Sequence, residues 1–230
     1  MPIDLIIFDC DGVLVDSEVI SCRVHAEMLT RAGYAITADQ VFDRFLGRSS
    51  VESNREIEAE LGRKLPDDFD ASLKHAVIDE LATSVEGMPH IADTLARISQ
   101  KICVASSGIP DKIRTSLIRA GIHDRFAPHI FSASQVKRGK PEPDLFLFAA
   151  RRMDAAPEHC LVIEDSIPGV MAARAARMTV LGFRGGAHYL EHPASAPQPA
   201  ALLRAGALAT FDDIRQLPAM IDKIASGETL

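Results

Sequence analysis

The chain has 230 residues, 47% of them hydrophobic, which is enough to bury one core, or a core with a smaller satellite domain, without disulfides or structural metals. Its formal net charge of -7 argues against sequence-independent binding to nucleic acid or to an anionic membrane, because both need clustered Lys and Arg. The four cysteines form no CxxC pair, and the first apolar run carries Asp4 and Asp9 without a basic segment before it. We therefore expect a cytoplasmic protein with reduced thiols and no membrane span. A monomer is taken as the default, because a surface apolar stripe cannot be told from a core stripe in the sequence.

Short β-branched runs recur along the chain and predict strands at 3–8, 101–105, 129–132, 161–163 and 179–183. Helical patterns separate most of these runs. Strands that alternate with helices indicate an α/β fold with a Rossmann-like, doubly wound parallel sheet. The stretch 184–188, which contains two glycines and follows the fifth strand, is compatible with a position near the mouth of an active site and with a flexible turn, and the flexible turn is the interpretation adopted.

Between residues 17 and 84 no strand-like run appears, and four helical patterns follow one another. Thr37 and Gln40 have the spacing of a capping box at the start of the second pattern. Four short amphipathic helices can bury their apolar stripes against one another as a bundle. We predict a four-helix cap domain at 17–84, inserted into an α/β core formed by 1–16 and 85–230. Such an insertion would cover the carboxyl end of the sheet, where open α/β folds bind ligands.

Two carboxylates, Asp9 and Asp11, follow the first predicted strand directly. Burying them beside an apolar run is costly unless a cation or hydrogen bonds compensate. Oxygen ligands suit Mg²⁺, which usually keeps several waters and shares its remaining positions with a substrate phosphate. A lone DxD is more often a solvated acidic turn, so this interpretation depends on the rest of the chain.

Three further polar segments stand where a parallel sheet would bring them to the same edge. They are Ser106, Ser107 and Gly108 after the second strand, Lys140 before a helix that starts between two prolines, and Glu164 with Asp165 after the fourth strand. A hydroxyl followed by backbone amides can hold phosphate oxygens, and flanking prolines aim the lysine. Taken singly, each segment is also compatible with an ordinary turn or helix start. Four such segments at strand ends, in this order, are hard to assign to chance.

The four segments resemble, in order and type, the four motifs of the haloacid-dehalogenase-like hydrolases. The helical insertion is similar to the cap of the β-phosphoglucomutase-like branch of that family. The resemblance covers nearly the whole chain and is most specific at DxDGVLVDS, at KPEPD and at EDS. It implies a Mg²⁺-dependent phosphohydrolase that acts on small phosphomonoesters, sugar or sugar-acid phosphates, through an aspartyl-phosphate intermediate.

The resemblance also implies a role for each matching position. Asp9 would be the nucleophile, and Asp11 the general acid that protonates the leaving group and then the base that activates water. Ser106 would donate a hydrogen bond to a phosphoryl oxygen, and Lys140 would offset the negative charge of nucleophile and phosphoryl group.

The resemblance places Mg²⁺ on the Asp9 side chain, the Asp11 backbone carbonyl and the Asp165 carboxylate, with Glu164 adjacent or assisting. The expected substrate-binding residues are Ser107, Gly108, Gly47 and Arg48. The expected partner is a small phosphate ester, not nucleic acid or a membrane.

The main alternative is a sugar-phosphate mutase. Mutases of this branch hold a second phosphate with a cap-loop arginine and carry a histidine on the first cap helix, whereas Ser50 and Ser21 stand at those positions here. Both departures favour transfer to water, although Arg48 can still reach a distal carboxylate or phosphate. A phosphoacceptor signalling domain would be about half this length and lack the insertion. A catalytically idle binding protein has little support, because the acidic, hydroxyl and lysine positions are intact.

Overall fold

A computed structural model describes residues 2–45, 48, 50–191 and 197–230. Its centre is a six-stranded parallel sheet with the order β3-β2-β1-β4-β5-β6. The strands are β1 (Leu5–Phe8), β2 (Lys101–Ser106), β3 (Ile130–Ser132), β4 (Cys160–Glu164), β5 (Thr179–Phe183) and β6 (Ala209–Phe211). The first five confirm the predicted strands, whereas β6 was not predicted. From β1 the chain first adds strands toward one edge of the sheet (β2, β3) and then toward the other (β4, β5, β6). Open α/β sheets bind ligands in the crevice at such a switch point, which here lies between β1 and β4.

Helices cover both faces of this sheet. They are α5 (Ile91–Ala96), α6 (Pro110–Arg119), α7 (His123–Phe126), α8 (Asp144–Arg152), α9 (Ile167–Ala175), α10 (Ala187–Glu191), α11 (Pro199–Ala205) and α12 (Leu217–Ser226). Ile6 and Phe8 of β1 pack with α5, α6, α7 and α12, and Leu5 and Ile7 pack on the opposite face with α8, α9 and α11. Burial on both faces explains why β1 is apolar throughout, and it confirms the Rossmann-like, doubly wound prediction.

Four helices lie within residues 17–84: α1 (Glu18–Arg31), α2 (Ala38–Phe45), α3 (Ser50–Leu61) and α4 (Phe69–Ser84). The expected capping box is present at α2, where the Thr37 amide donates to Gln40 Oε1 at 2.9 Å and the Gln40 amide donates to Thr37 Oγ1 at 3.2 Å. These helices have an apolar cluster of their own, which includes Leu29, Phe42 and Ile57. None of the helices among the described residues is both long and apolar enough to span a membrane.

The two chain segments that lead into and out of these helices are hydrogen-bonded to each other. The Asp16 amide donates to Glu86 O at 3.0 Å, and the Met88 amide donates to Leu14 O at 2.9 Å. Val15 and Gly87 form an antiparallel bridge between these bonds. We call this pairing of residues 14–16 with 86–88 the clasp. It brings the ends of the helical stretch together beside the sheet.

Candidate active site

The predicted polar residues meet at the carboxyl edge of the sheet. Phe8 pairs in register with Val104 of β2 and Ile163 of β4, so the residues that follow these three strands are neighbours. The Asp9 amide extends the β1–β4 pairing by donating to Ile163 O at 3.0 Å. Strand register therefore brings Asp9, Ser106 and Glu164 to one place.

Three buried carboxylates form the floor of the site. The ligand oxygens of Asp9, Glu164 and Asp165 lie within 4.8 Å of one another. Lys140 is the ammonium that faces them, with Nζ 2.7 Å from Asp9 Oδ1 and 2.7 Å from Glu164 Oε1. Its side chain is only 4% exposed, so this cation is held inside the cluster.

Three carboxylates face one ammonium group, and the pKa values of Asp9 and Asp165 are raised. Burial raises the pKa of Asp9 to about 7, against the opposing effect of Lys140. Burial, followed by repulsion from Glu164 and Asp9, raises the pKa of Asp165 well above its usual value. The cluster of three buried carboxylates and one lysine therefore disfavours the charged forms of Asp9 and Asp165 in the absence of a further cation, and a metal cation that prefers oxygen ligands fits this set.

Glu164 is fully buried, and both of its oxygens are engaged by the protein. Oε1 accepts from Lys140, and Oε2 accepts from the Ser166 amide at 2.8 Å and the Ser166 hydroxyl at 2.9 Å. Gly169, in the first turn of α9, leaves the space for this carboxylate, because a Cβ there would lie 1.7 Å from Glu164 Oε1. The Ser166–Gly169 turn therefore shapes the pocket that orients Glu164 toward Lys140.

Asp11 has a different environment from Asp9. Its Oδ1 lies 2.8 Å from Lys112 Nζ and accepts a hydrogen bond from Ser17 Oγ. Burial alone would raise the pKa of Asp11, but the charge and hydrogen bond of Lys112 outweigh it and lower the pKa below its usual value. The two carboxylates of the DxD segment thus have pKa values shifted in opposite directions when no metal or phosphate is bound.

The loop after β2 presents a hydroxyl and a backbone turn. Ser106 is fully buried, and its Oγ accepts from the Gly108 amide at 3.0 Å, which leaves the hydroxyl hydrogen available for a further acceptor. Ser132 Oγ donates to Gly108 O at 2.7 Å and braces the turn. Ser107 is exposed and lines the cavity described next.

A cavity of about 600 Å³ opens above the carboxylates. Asp9, Asp11, Ser106, Lys140, Glu164 and Asp165 line its sheet side. Glu18, Phe42, Asp43 and Arg48 line it from the α1–α3 region. The helical stretch therefore contributes directly to the walls of the site.

The family model of haloacid dehalogenase-like hydrolases matches residues 3–177. The chain belongs to this family. Over 217 residues, this hydrolase is 30% identical to the 6-phosphogluconate phosphatase of Escherichia coli (strain K12), with 94% of this chain and 93% of that protein covered. The family resemblance seen in the sequence is thereby confirmed.

Two solved structures have the same fold along nearly their whole length. A conserved haloacid dehalogenase-like protein of unknown function from Agrobacterium tumefaciens is 34% identical, with a TM-score of 0.84 and coverage of 97% of this chain and 99% of that one. A HAD family hydrolase from Deinococcus radiodurans R1, solved with bound phosphate and sodium, is 30% identical, with a TM-score of 0.78 and coverage of 99% and 98%.

The four residues expected to bind substrate do not all line the cavity among the described residues. Ser107 lines the cavity, and the Gly108 amide donates to Ser106 Oγ, which also lines it. Arg48 also lines the cavity, but its guanidinium donates to Glu56 Oε2 at 2.7 Å. Gly47 lies outside the described residues.

Lys112, His188 and Tyr189 are among the residues at the site to which the sequence assigned no role. The interpretation of 184–188 as a flexible turn was wrong from residue 187, because Ala187 begins α10. His188 and Tyr189 are both buried and line the cavity. A five-residue helix is too short to show helical periodicity, and Lys112 belongs to no recognisable motif. The one signal was the position of 184–188 after the fifth strand, which is compatible with a place near the active site.

Proposed function

We propose that this hydrolase is a Mg²⁺-dependent phosphatase that acts on sugar or sugar-acid phosphates through an aspartyl-phosphate on Asp9. The observation that carries this proposal is the position of Asp9: its carboxylate lies on the cavity floor, 2.7 Å from Lys140 and within a cluster that fits a metal cation. The related hydrolase with bound phosphate and the related 6-phosphogluconate phosphatase support the substrate class.

The reaction begins with attack by a carboxylate oxygen of Asp9 on phosphorus, which forms the O–P bond of the aspartyl-phosphate as the bond to the leaving alcohol breaks. Asp11 gives the departing oxygen its proton. The negative charge of a bound phosphate favours protonation of Asp11 for this step, since a nearby anion raises the pKa of a carboxyl group. In the second step Asp11, now an anion that Lys112 and Ser17 stabilise, takes a proton from the attacking water. The water oxygen bonds to phosphorus as the bond to Asp9 breaks, which releases phosphate and regenerates the Asp9 carboxylate.

Lys140 and Ser106 serve the transferred group. Lys140 is protonated at neutral pH, because the carboxylates of Asp9 and Glu164 raise its pKa against the lowering effect of burial. Its charge offsets the negative charge that collects on Asp9 and the phosphoryl oxygens. The free hydroxyl hydrogen of Ser106 is available to one of those oxygens.

The residues that would hold Mg²⁺ are Asp9, Asp165 and the backbone carbonyl of Asp11. When bound, the ion neutralises the repulsion between the nucleophile and an anionic substrate. Glu164 assists by holding Lys140, since both of its oxygens already accept hydrogen bonds from Lys140 and Ser166.

We further propose that residues 17–84 form a cap domain over a core made of 1–16 and 85–230. The separate apolar cluster of α1–α4 and the helical residues in the cavity wall support this division. The clasp is the corresponding hinge, and Ser17 links it to Asp11.

Transfer to water, rather than back to a sugar, is supported by the roof of the cavity. Among the described residues of 17–84, Arg48 is the one cation that lines the cavity, and it is paired with Glu56. Ser21, at the position of the mutase histidine, donates to Ser17 O at 2.9 Å. A second phosphate would therefore find little fixed positive charge on this side. A cytoplasmic monomer that binds a small phosphate ester remains our proposal for its setting.

The test is release of inorganic phosphate from sugar phosphates, sugar-acid phosphates, nucleotides and phosphonoacetaldehyde, with Mg²⁺ and with a chelator. Release that requires Mg²⁺, is highest for sugar or sugar-acid phosphates and is lost in Asp9→Asn supports the proposal. Conversion of β-glucose 1-phosphate to glucose 6-phosphate without phosphate release would replace the phosphatase by a mutase. Phosphate release that persists in Asp9→Asn would refute the assigned nucleophile.

A further inference from the structure

Helix α10 lies between the carboxylate cluster and the α1–α4 helices. Tyr189 is 4% exposed, and its ring belongs to the apolar cluster of these helices together with Leu29, Phe42 and Phe45. The Arg184 guanidinium lies 5.0 Å from the ring centroid on the sheet side. The Tyr189 ring is therefore held from both directions and has little freedom to move.

The other end of the same side chain contacts the cluster. The Tyr189 hydroxyl donates to the backbone carbonyl of Asp165, in a fully buried hydrogen bond between residues 24 positions apart. His188, next along α10, has Nε2 at 3.5 Å from Asp165 Oδ2. Two successive residues of one short helix thus face the backbone and the carboxylate of the same aspartate.

The space around Asp165 is narrow. A Cβ at Gly12 would lie 2.1 Å from Asp165 Oδ2 and 3.2 Å from His188 Cε1. The backbone at Gly12 has φ of 74°, a conformation that suits glycine. The carboxylate is thus confined between the turn at Gly12 and α10, and a small rotation of the Asp165 backbone would move its oxygens relative to Asp9.

We propose that Tyr189 is a positioning residue for the metal site: its hydroxyl fixes the backbone of Asp165, and the packing of its ring against the α1–α4 helices fixes the hydroxyl. This inference rests on the proposed metal site. Groups that hold a metal ligand in place commonly change metal affinity by 10–100-fold when removed. Tyr189 acts through the backbone, so we expect an effect near the lower end of that range.

The substitution Tyr189→Phe removes the hydroxyl and keeps the ring. Tyr34→Phe is the matched control, because the chain has two tyrosines and the Tyr34 hydroxyl pairs with Glu60 and Arg44 outside the cavity. Mg²⁺ affinity of wild type and both variants is measured by isothermal titration calorimetry, with circular dichroism to verify folding. We expect Mg²⁺ to bind roughly tenfold more weakly to Tyr189→Phe and unchanged to Tyr34→Phe. Phosphate release by Tyr189→Phe should need correspondingly more Mg²⁺ to reach half of its own maximal rate.

Equal Mg²⁺ affinity in wild type and Tyr189→Phe would overturn the positioning role and leave the phosphatase proposal intact. An equal loss of affinity in both tyrosine variants would also overturn it, because the effect would then be general destabilisation. Failure of the wild type itself to bind Mg²⁺ or release phosphate would overturn the proposed function, and the positioning role with it.

Discussion

The adjacent acids Glu164 and Asp165 should respond in opposite ways when each is replaced by its amide. Glu164 is compensated in the protein by Lys140 and Ser166, whereas burial and repulsion raise the pKa of Asp165 well above its usual value. Without metal, Glu164→Gln should destabilise the fold. Asp165→Asn should stabilise it, because burial and the neighbouring carboxylates disfavour the charged form of Asp165, and asparagine carries no charge.

The size of the Glu164→Gln effect follows from its contacts. Glutamine has one acceptor oxygen, so it can satisfy Lys140 or the two Ser166 donors but not both. The loss of one charge-assisted hydrogen bond in a fully buried position corresponds to about 2 to 3 kcal/mol in the free energy of unfolding. Lys140 keeps its bond to Asp9, which limits the loss. For a chain of this length, the expected fall in Tm is about 4 to 12 °C.

The assay is thermal unfolding of wild type, Glu164→Gln and Asp165→Asn in chelator, followed by the same measurement across a Mg²⁺ titration. We expect Asp165→Asn to lose the Mg²⁺-induced rise in Tm, and Glu164→Gln to keep most of it from a lower starting Tm. An unchanged Tm in chelator together with a lost Mg²⁺ response in Glu164→Gln would refute this reasoning, since it would make Glu164 a metal ligand rather than the partner of Lys140.

Three other predictions concern the same site. Asp9→Asn should lower kcat by at least about a thousandfold, as measured by phosphate release, with an unchanged circular dichroism spectrum. Gly169→Ala should lower the free energy of unfolding by about 3 kcal/mol in denaturant titration and reduce kcat, because its methyl group would overlap the Glu164 carboxylate. The control is Gly139→Ala, where the nearest neighbour of the added methyl group is at 3.6 Å. This control should change the free energy of unfolding by less than about 0.5 kcal/mol. The Mg²⁺-induced rise in Tm should be larger at about pH 8 than at about pH 5, since protons compete with the cation for carboxylates. The pKa of Asp9 rises from 3.8 to about 7 on folding, so the metal-free protein loses stability as pH rises through this window and the cation has more destabilisation to offset. A Mg²⁺-induced rise in Tm that becomes smaller with rising pH would contradict this prediction.

The residues at strand ends were predictable because topology alone brings them together. Asp9, Ser106 and Glu164 need only the correct strands and a parallel sheet to become neighbours, and both follow from apolar runs and intervening helices. Lys140 was recognisable by its prolines and its place in the order of motifs. Strand β6 (209–211) was missed because Ala-Thr-Phe contains no apolar β-branched residue, whereas the equally short β3 contains Ile130.

Residues that reach the site from helix surfaces were not predictable in this way. Lys112 contacts Asp11 only because α6 packs with one particular face toward Asp11. Tyr189 contacts Asp165 only because α10 packs against α1. The requirement for glycine at Gly169 appears only when the 1.7 Å distance to Glu164 is known. Such relations depend on rotations and distances of a few ångströms, which motif order does not contain.

The clasp also bears on the order in which the chain folds. Leu5 and Lys101 pair in the sheet although 96 positions separate them. The clasp joins Asp16 to Glu86 and so closes off 70 of these positions as a separate loop. When the clasp forms first, the remaining loop is less than a third as long, which lowers the entropic cost of joining β1 to β2 by about 1 kcal/mol. The backbone pairing of the clasp thereby shortens the loop that separates β1 from β2, so that β1 can pair with β2 before the other strands join the sheet.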